Sequence, residues 1–205
     1  MDRQAHWDNI YTTRDPQAVI WYRPHLDVSL TLLGDLDVNL DAHILDVGGG
    51  ASTLVDDLLV RGYRHVTVLD IALAALTAAQ ARLGDAASRA TWLHADATRA
   101  ELPPASVDVW HDRAVFHFLT DATDRARYVD CLHHALRVGG HAILATFAPD
   151  GPTMCSGLTV VRYAPEELAA VLGEEFRLSD HRRETHVTPG GGEQRFQYSV
   201  FRRES

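Results

Sequence analysis

Ile44-Leu45-Asp46-Val47-Gly48-Gly49-Gly50 is the segment of this 205-residue chain with the most chemistry in it. An apolar run passes through an acid into three glycines, ahead of an amphipathic stretch at Thr53–Arg61. Positions without side chains let the backbone pass close to a ligand, and a helix N-terminus offers unpaired N–H groups. Asp70 follows twenty residues after Gly50, where a carboxylate can accept both hydroxyls of a ribose. Asp96, in His94-Ala95-Asp96-Ala97, can take the exocyclic amine of an adenine. Each feature alone has a plainer reading, as a glycine turn or as a strand-end or helix-capping Asp. In succession they point to a nucleotide-like ligand on the carboxyl edge of an open α/β sheet. The dinucleotide pattern G-x-G-x-x-G is incomplete, because Thr53 stands where its last glycine belongs.

A sheet must carry these residues, and the pattern supplies one. Short β-branched apolar runs at His43–Val47, His65–Asp70, Ala90–Ala95, Val107–His111 and His141–Phe147 alternate with helical stretches at Thr53–Arg61, Ala72–Leu83 and Ala122–Arg137. Such alternation predicts an α/β fold with a parallel sheet and helices on both faces. After a Gly/Pro-containing loop, Ala148–Gly157, a short helix is expected at Pro165–Leu172 with proline in its first turn. Phe176–Thr188 and Gln194–Arg203, joined by Pro189-Gly190-Gly191-Gly192, read as an antiparallel hairpin. The chain is thus expected to be one domain: a helical cap (1–40), a ligand-binding core (41–148) and a substrate-side loop, helix and hairpin (149–205).

Composition removes several classes. Nineteen basic residues against twenty-eight acidic ones give a formal charge of −9, which opposes binding to a nucleic-acid backbone. All nineteen are Arg, so a Walker loop, a Schiff-base lysine and a Tyr-x-x-x-Lys dehydrogenase pair are excluded. Cys131 and Cys155 are too few for a disulfide scaffold or a cysteine zinc site, and the twelve histidines lack ligand spacing, so no metal is expected. No membrane span or secretory leader is evident, and a cytoplasmic location is expected.

Taken as a set, Ile44–Gly50, Val66–Ile71, Asp96-Ala97 and Val107–Leu119 resemble the successive motifs of class I S-adenosylmethionine-dependent methyltransferases. Leu136-Arg137-Val138-Gly139-Gly140-His141 is similar to the L-x-P-G-G that precedes their fifth strand, with Val138 in place of proline. The resemblance spans roughly residues 40 to 148 and implies a Rossmann-like, mostly parallel seven-stranded sheet with a C-terminal antiparallel hairpin. It implies S-adenosyl-L-methionine as cofactor. Asp46 and Gly48, Gly49 and Gly50 would face its methionyl part. Ser52 would stand where many members carry a third loop glycine. Asp70 would hold the ribose with Ile71 flanking the adenine, Asp96 and Ala97 would contact the adenine edge, and the His111 backbone carbonyl would meet the amino group.

Methyl transfer from a sulfonium is an in-line displacement for which the protein supplies alignment and exclusion of water. A base is needed only if the acceptor must lose a proton. His117, within Trp110–Leu119, is the candidate base, with a core or capping histidine as its plainer reading. Asp112 and Arg113 either form a local ion pair or contact substrate. Trp7, Tyr11, Trp21, Phe116 and Tyr163 are the aromatic candidates for the acceptor site, against simple packing of the cap. Arg23 is either a partner for the cofactor carboxylate or a surface charge. Cys155 would line the acceptor pocket, with soft-metalloid binding as a minor reading.

The function these residues favour is methylation of a small molecule by a monomer or homodimer without nucleic-acid or membrane partners. Protein lysine or terminal methylation, a nicotinamide-dependent oxidoreductase and a non-catalytic nucleotide-binding module are the alternatives.

Overall fold

A computed structural model of the chain describes residues 2–205. Seven strands form one sheet: β1 (His43–Val47), β2 (His65–Asp70), β3 (Thr91–His94), β4 (Val107–Arg113), β5 (Leu136–Phe147) and the long pair β8 (Phe176–Val187) and β9 (Glu193–Arg203). Their order is β3-β2-β1-β4-β5-β9-β8. The first five pair in parallel, and β9 lies antiparallel between β5 and β8. A two-stranded ribbon, β6 (Met154–Cys155) with β7 (Leu158–Thr159), interrupts the loop after β5, where the sequence carries no strand signal.

β1 is buried on both faces, as a central parallel strand must be, so its apolar residues run almost unbroken. Alternation divides them: Ile44 packs into one core layer, Leu45 and Val47 into the other. The first layer is closed by α2 (Asp27–Asp35), α3 (Leu54–Val60) and α4 (Leu73–Leu83), the second by α5 (Ala122–Ala135) and α6 (Pro165–Leu172). The α5 start is fixed by Asp121, which accepts from the Thr123 and Asp124 N–H groups. In α6, Pro165 opens the helix while the Glu167 carboxylate accepts from the Ala164 N–H.

Most expected boundaries shift by a residue or two. The larger departure is β5, which begins at Leu136, five residues before the expected His141. The chain leaves α5 directly into extended backbone, and Gly139 (φ +81°) lies inside the strand. The expected N-terminal helices are α1 (Arg3–Thr13) and α2, joined by an irregular strap, residues 14–26. No helix among the described residues is long and apolar enough to cross a membrane.

Candidate functional site

The glycine turn is shaped by what presses on it. Gly48 and Gly50 have φ of +65° and +42°. A Cβ at Gly48 would stand 2.0 Å from Val115 Cγ2, one at Gly49 2.4 Å from Asp46 Oδ2, and one at Gly50 2.6 Å from Asp70 Oδ2. Two acids and a valine thus leave no room for side chains, and the Gly48 and Gly49 N–H groups donate to the Leu69 carbonyl at the end of β2. Behind the turn, the His111 Nδ1–H donates to Asp46 Oδ1 (2.7 Å), as it must to a carboxylate, and His111 Nε2 shares a 2.9 Å hydrogen bond with Ser29 Oγ. The pairing of β1 with β4 sets Asp46 beside His111. Asp46 Oδ2 is buried with no hydrogen-bond partner.

Along the same rim, Asp70 ends β2 and Asp96 lies two residues beyond β3. Asp70 is buried and accepts from the Ala72 N–H at 2.7 Å. Burial, with the charges of Asp46 and Asp8 added, raises its pKa from 3.8 to about 7. Asp96 Oδ1 accepts from both Thr98 N–H and Oγ1–H, and Oδ2 pairs with Arg3 at 3.3 Å. Helix α1 lies across this rim. Arg3 also pairs with Asp124 at 3.2 Å, and Asp8 Oδ1 accepts from the Ala74 N–H at the start of α4.

From the rim a cleft of about 890 Å³, its open mouth included, extends toward β9. Trp7, Tyr11, Trp21, Phe118 and Phe196 wall it. Trp7 meets Trp21 and Phe118 edge-on, with centroids 5.7 and 5.1 Å apart, and Trp21 Nε1–H donates to Tyr11 Oη. Arg113, its side chain only 7% exposed, organises the far end. Its Nε–H donates to Tyr198 Oη (2.9 Å), its Nη1–H to the Trp21 carbonyl (3.3 Å), and its guanidinium carbon stands 4.5 Å over the Phe196 ring. Tyr198 in turn donates to Glu184 Oε2 at 3.0 Å. Two further side chains hold the strap: His186 Nε2–H donates to the Ile20 carbonyl and Thr53 Oγ1–H to the Arg23 carbonyl. Ala114, at φ +74°, turns the chain sharply after Arg113.

Of the residues singled out in the sequence, Gly48, Asp70, Ile71, Asp96, Ala97, Trp7, Tyr11, Trp21, Arg113 and Cys155 line this cleft. Asp46, Gly49, Gly50 and His111 stand behind its wall, and the fully buried His111 acts there through its ring. Ser52 and Arg23, with Arg113, line a smaller adjoining recess at Ala51. Arg23 is 3.3 Å from Asp27 and 3.7 Å from Glu184.

Four expectations need correction. His117 is fully buried outside the cleft wall, accepts from the Phe147 N–H through Nδ1, and has its pKa pushed down to about 3 by burial and by Arg113. Asp112 faces away from Arg113, because neighbours on a strand point to opposite sides. It accepts from Val115 N–H, Phe116 N–H and Tyr128 Oη–H, and burial raises its pKa to about 6. Phe116 packs on Tyr128 and Tyr163 in the α5/α6 core layer, so neither Phe116 nor Tyr163 reaches the cleft.

Sequence reasoning missed Arg3, Thr98, Val115, Phe118, Gln194 and Phe196 in the lining, and Glu184 and Tyr198 behind it. One signal was available: Gln194, Phe196 and Tyr198 alternate along β9 and therefore share a face.

The sheet order, the glycine turn and the acidic rim are similar to those of class I S-adenosylmethionine-dependent methyltransferases. Residues 44–140, just under half of the chain, match the family described as "Methyltransferase domain". It is 35% identical over 115 residues to an uncharacterized methyltransferase of Mycobacterium tuberculosis, covering 56% of this chain and 54% of that relative. It is 26% identical over 151 residues to the eEF1A lysine and N-terminal methyltransferase of Bos taurus, covering 70% of this chain but 21% of that one. The match therefore spans about half of the mycobacterial relative and about a fifth of the bovine one. The fold is shared with the Burkholderia thailandensis 1,6-didemethyltoxoflavin-N1-methyltransferase, solved with 1,6-didemethyltoxoflavin and S-adenosylhomocysteine bound. The TM-score is 0.69 at 20% identity, over 98% of this chain and 84% of that one.

Proposed function

We propose that this chain transfers a methyl group from S-adenosylmethionine to a small planar acceptor. The observation that carries the reading is one continuous cleft, with an acidic nucleoside rim at one end and an aromatic-walled chamber at the other. The residues present fit the cofactor: the turn closes against side chains at all three glycines, and the buried Asp46 Oδ2 waits for a donor beside it. In this reading Asp70 takes the ribose hydroxyls, Asp96 and Ala97 the adenine edge, and the Arg23–Ser52 recess the carboxylate. The bound cofactor supplies a methyl group already activated on sulfur.

The chain's own part is alignment and dryness. Helix α1 and the strap cover the cleft, and the indole and phenyl faces orient a flat ring. His117, off the wall and with so low a pKa, leaves the reading without a general base, so the acceptor brings its own lone pair. A covered aromatic chamber favours a small ring over a protein chain, and the Burkholderia neighbour was solved with 1,6-didemethyltoxoflavin bound.

Calorimetric titration tests the reading. S-adenosylhomocysteine binds and NAD does not, and S-adenosylmethionine turnover then follows addition of flat heterocycles. Tight NAD binding with none of S-adenosylhomocysteine overturns it.

A further inference from the structure

Among the described residues that line the cleft, two leave a buried polar atom without a hydrogen-bond partner. One is a donor, Arg113 Nη2, and the other an acceptor, Gln194 Oε1. A buried polar atom without a partner costs free energy, so a site that holds two of opposite kinds is built for something that satisfies both. Glu184 Oε2 does not satisfy Nη2, since at 3.6 Å it forms an ion pair but no hydrogen bond.

Both residues belong to the same part of the cleft wall as Phe196. The Arg113 guanidinium stands over the Phe196 ring, and Gln194 precedes Phe196 by two residues on β9, so both strand side chains share a face. The other Arg113 nitrogens are committed to Tyr198 and Trp21, and Gln194 is only 7% exposed.

We infer that Arg113 and Gln194 are the specificity pair for the acceptor and that they read a carbonyl oxygen beside a ring N–H, the edge of a lactam-bearing heteroaromatic ring. The carbonyl accepts from Arg113 Nη2 and the ring N–H donates to Gln194 Oε1. This rests on the small-acceptor reading above and narrows it to one chemical class.

The test uses the full chain saturated with S-adenosylhomocysteine and reads quenching of tryptophan fluorescence, to which Trp7 and Trp21 of the cleft contribute, by three probes built on one bicyclic skeleton. These are quinazolin-4(3H)-one, which has the whole edge; its 3-methyl derivative, which keeps the carbonyl but lacks the N–H; and quinazoline, which lacks both. The lactam binds about tenfold or more tighter than either analogue, the scale for leaving one buried polar atom unpaired. In Gln194→Leu the difference between the lactam and its N-methyl derivative disappears, while affinity for S-adenosylhomocysteine is unchanged. Arg113→Gln is read in the same way for the carbonyl. If that variant does not fold, the Gln194→Leu comparison stands alone. Equal binding of all three rings overturns the pair but leaves the small-acceptor reading in place. Failure of every ring to bind while S-adenosylhomocysteine does overturns both.

Discussion

The two ends of the cleft are built on different principles. At the nucleoside end, geometry comes from backbone: a three-glycine turn laced to the Leu69 carbonyl, and acids at or just past successive strand ends. At the acceptor end it comes from side chains gathered from α1, the strap, β4 and β9, and held by bonds from Arg113, His186 and Thr53 to strap carbonyls. The first is fixed by the sheet, and the second by contacts between distant parts of the chain. Substitutions at the two ends should therefore fail differently, the first in cofactor affinity and the second in acceptor recognition.

The sharpest contrast is Gly49→Val. Its Cβ would fall 2.4 Å from Asp46 Oδ2 and 2.8 Å from Val68 Cγ1, neither of which can retreat within a close-packed layer. Affinity for S-adenosylhomocysteine drops by roughly a hundredfold in calorimetry, with circular dichroism reporting whether the fold survives. Unchanged affinity would break the assignment of the turn as the cofactor cradle.

Asp70→Asn comes next, lowering cofactor affinity about tenfold at pH 8 through loss of charge-assisted hydrogen bonds. The sign of the pH dependence follows from a pKa near 7 in the folded protein against 3.8 ordinarily. Below pH 7 the empty site holds a proton that the ribose must displace, so wild-type affinity weakens as pH falls from 8 to 6, and the variant's profile is flat. Stability runs the other way. A raised carboxylate stabilises the folded state fully below its unfolded pKa, and that contribution is lost as pH rises through about 7. Measured against Asp70→Asn, the ligand-free wild type is therefore relatively more stable at pH 6 than at pH 8. Asp112, raised to about 6, acts in the same direction, and the buried His117, pushed down to about 3, acts in the opposite one.

At the acceptor end Tyr198→Phe removes the hydroxyl between Arg113 and Glu184 and raises acceptor KM about threefold with cofactor affinity untouched. A change in both constants would erase the distinction between the two ends. The smallest effect is expected for His117→Ala: kcat per folded molecule stays within about twofold, while the vacated volume and the lost Phe147 N–H partner cost about 1–3 kcal/mol in chemical denaturation. A collapse of kcat in well-folded protein would restore His117 as a base.

This contrast also explains what could be read in advance. The parallel strands, the glycine turn and Asp70 announce themselves because period, turn chemistry and strand ends are local properties of a dozen residues. The acceptor wall is not local: Trp7 meets Phe118 across 111 residues of chain, and Arg113 meets Trp21 across 92. Segment Trp110–Leu119 shows the boundary between the two cases. Its importance is legible, but which side chains face the cleft depends on the left-handed turn at Ala114 and the short helical turn Phe116–Phe118. These send Phe118 to the wall and bury Phe116 and His117, and no periodicity in the sequence encodes that turn.

The buried carboxylate at the end of β2 has a thermodynamic corollary. If it is part-protonated near neutrality and ionised once a ribose sits on it, complex formation ejects a fraction of a hydrogen ion to the buffer. The apparent heat of association at pH 7 then differs between Tris and phosphate, in proportion to their ionisation enthalpies. Replacing that one aspartate by asparagine would make the two calorimetric traces superimpose.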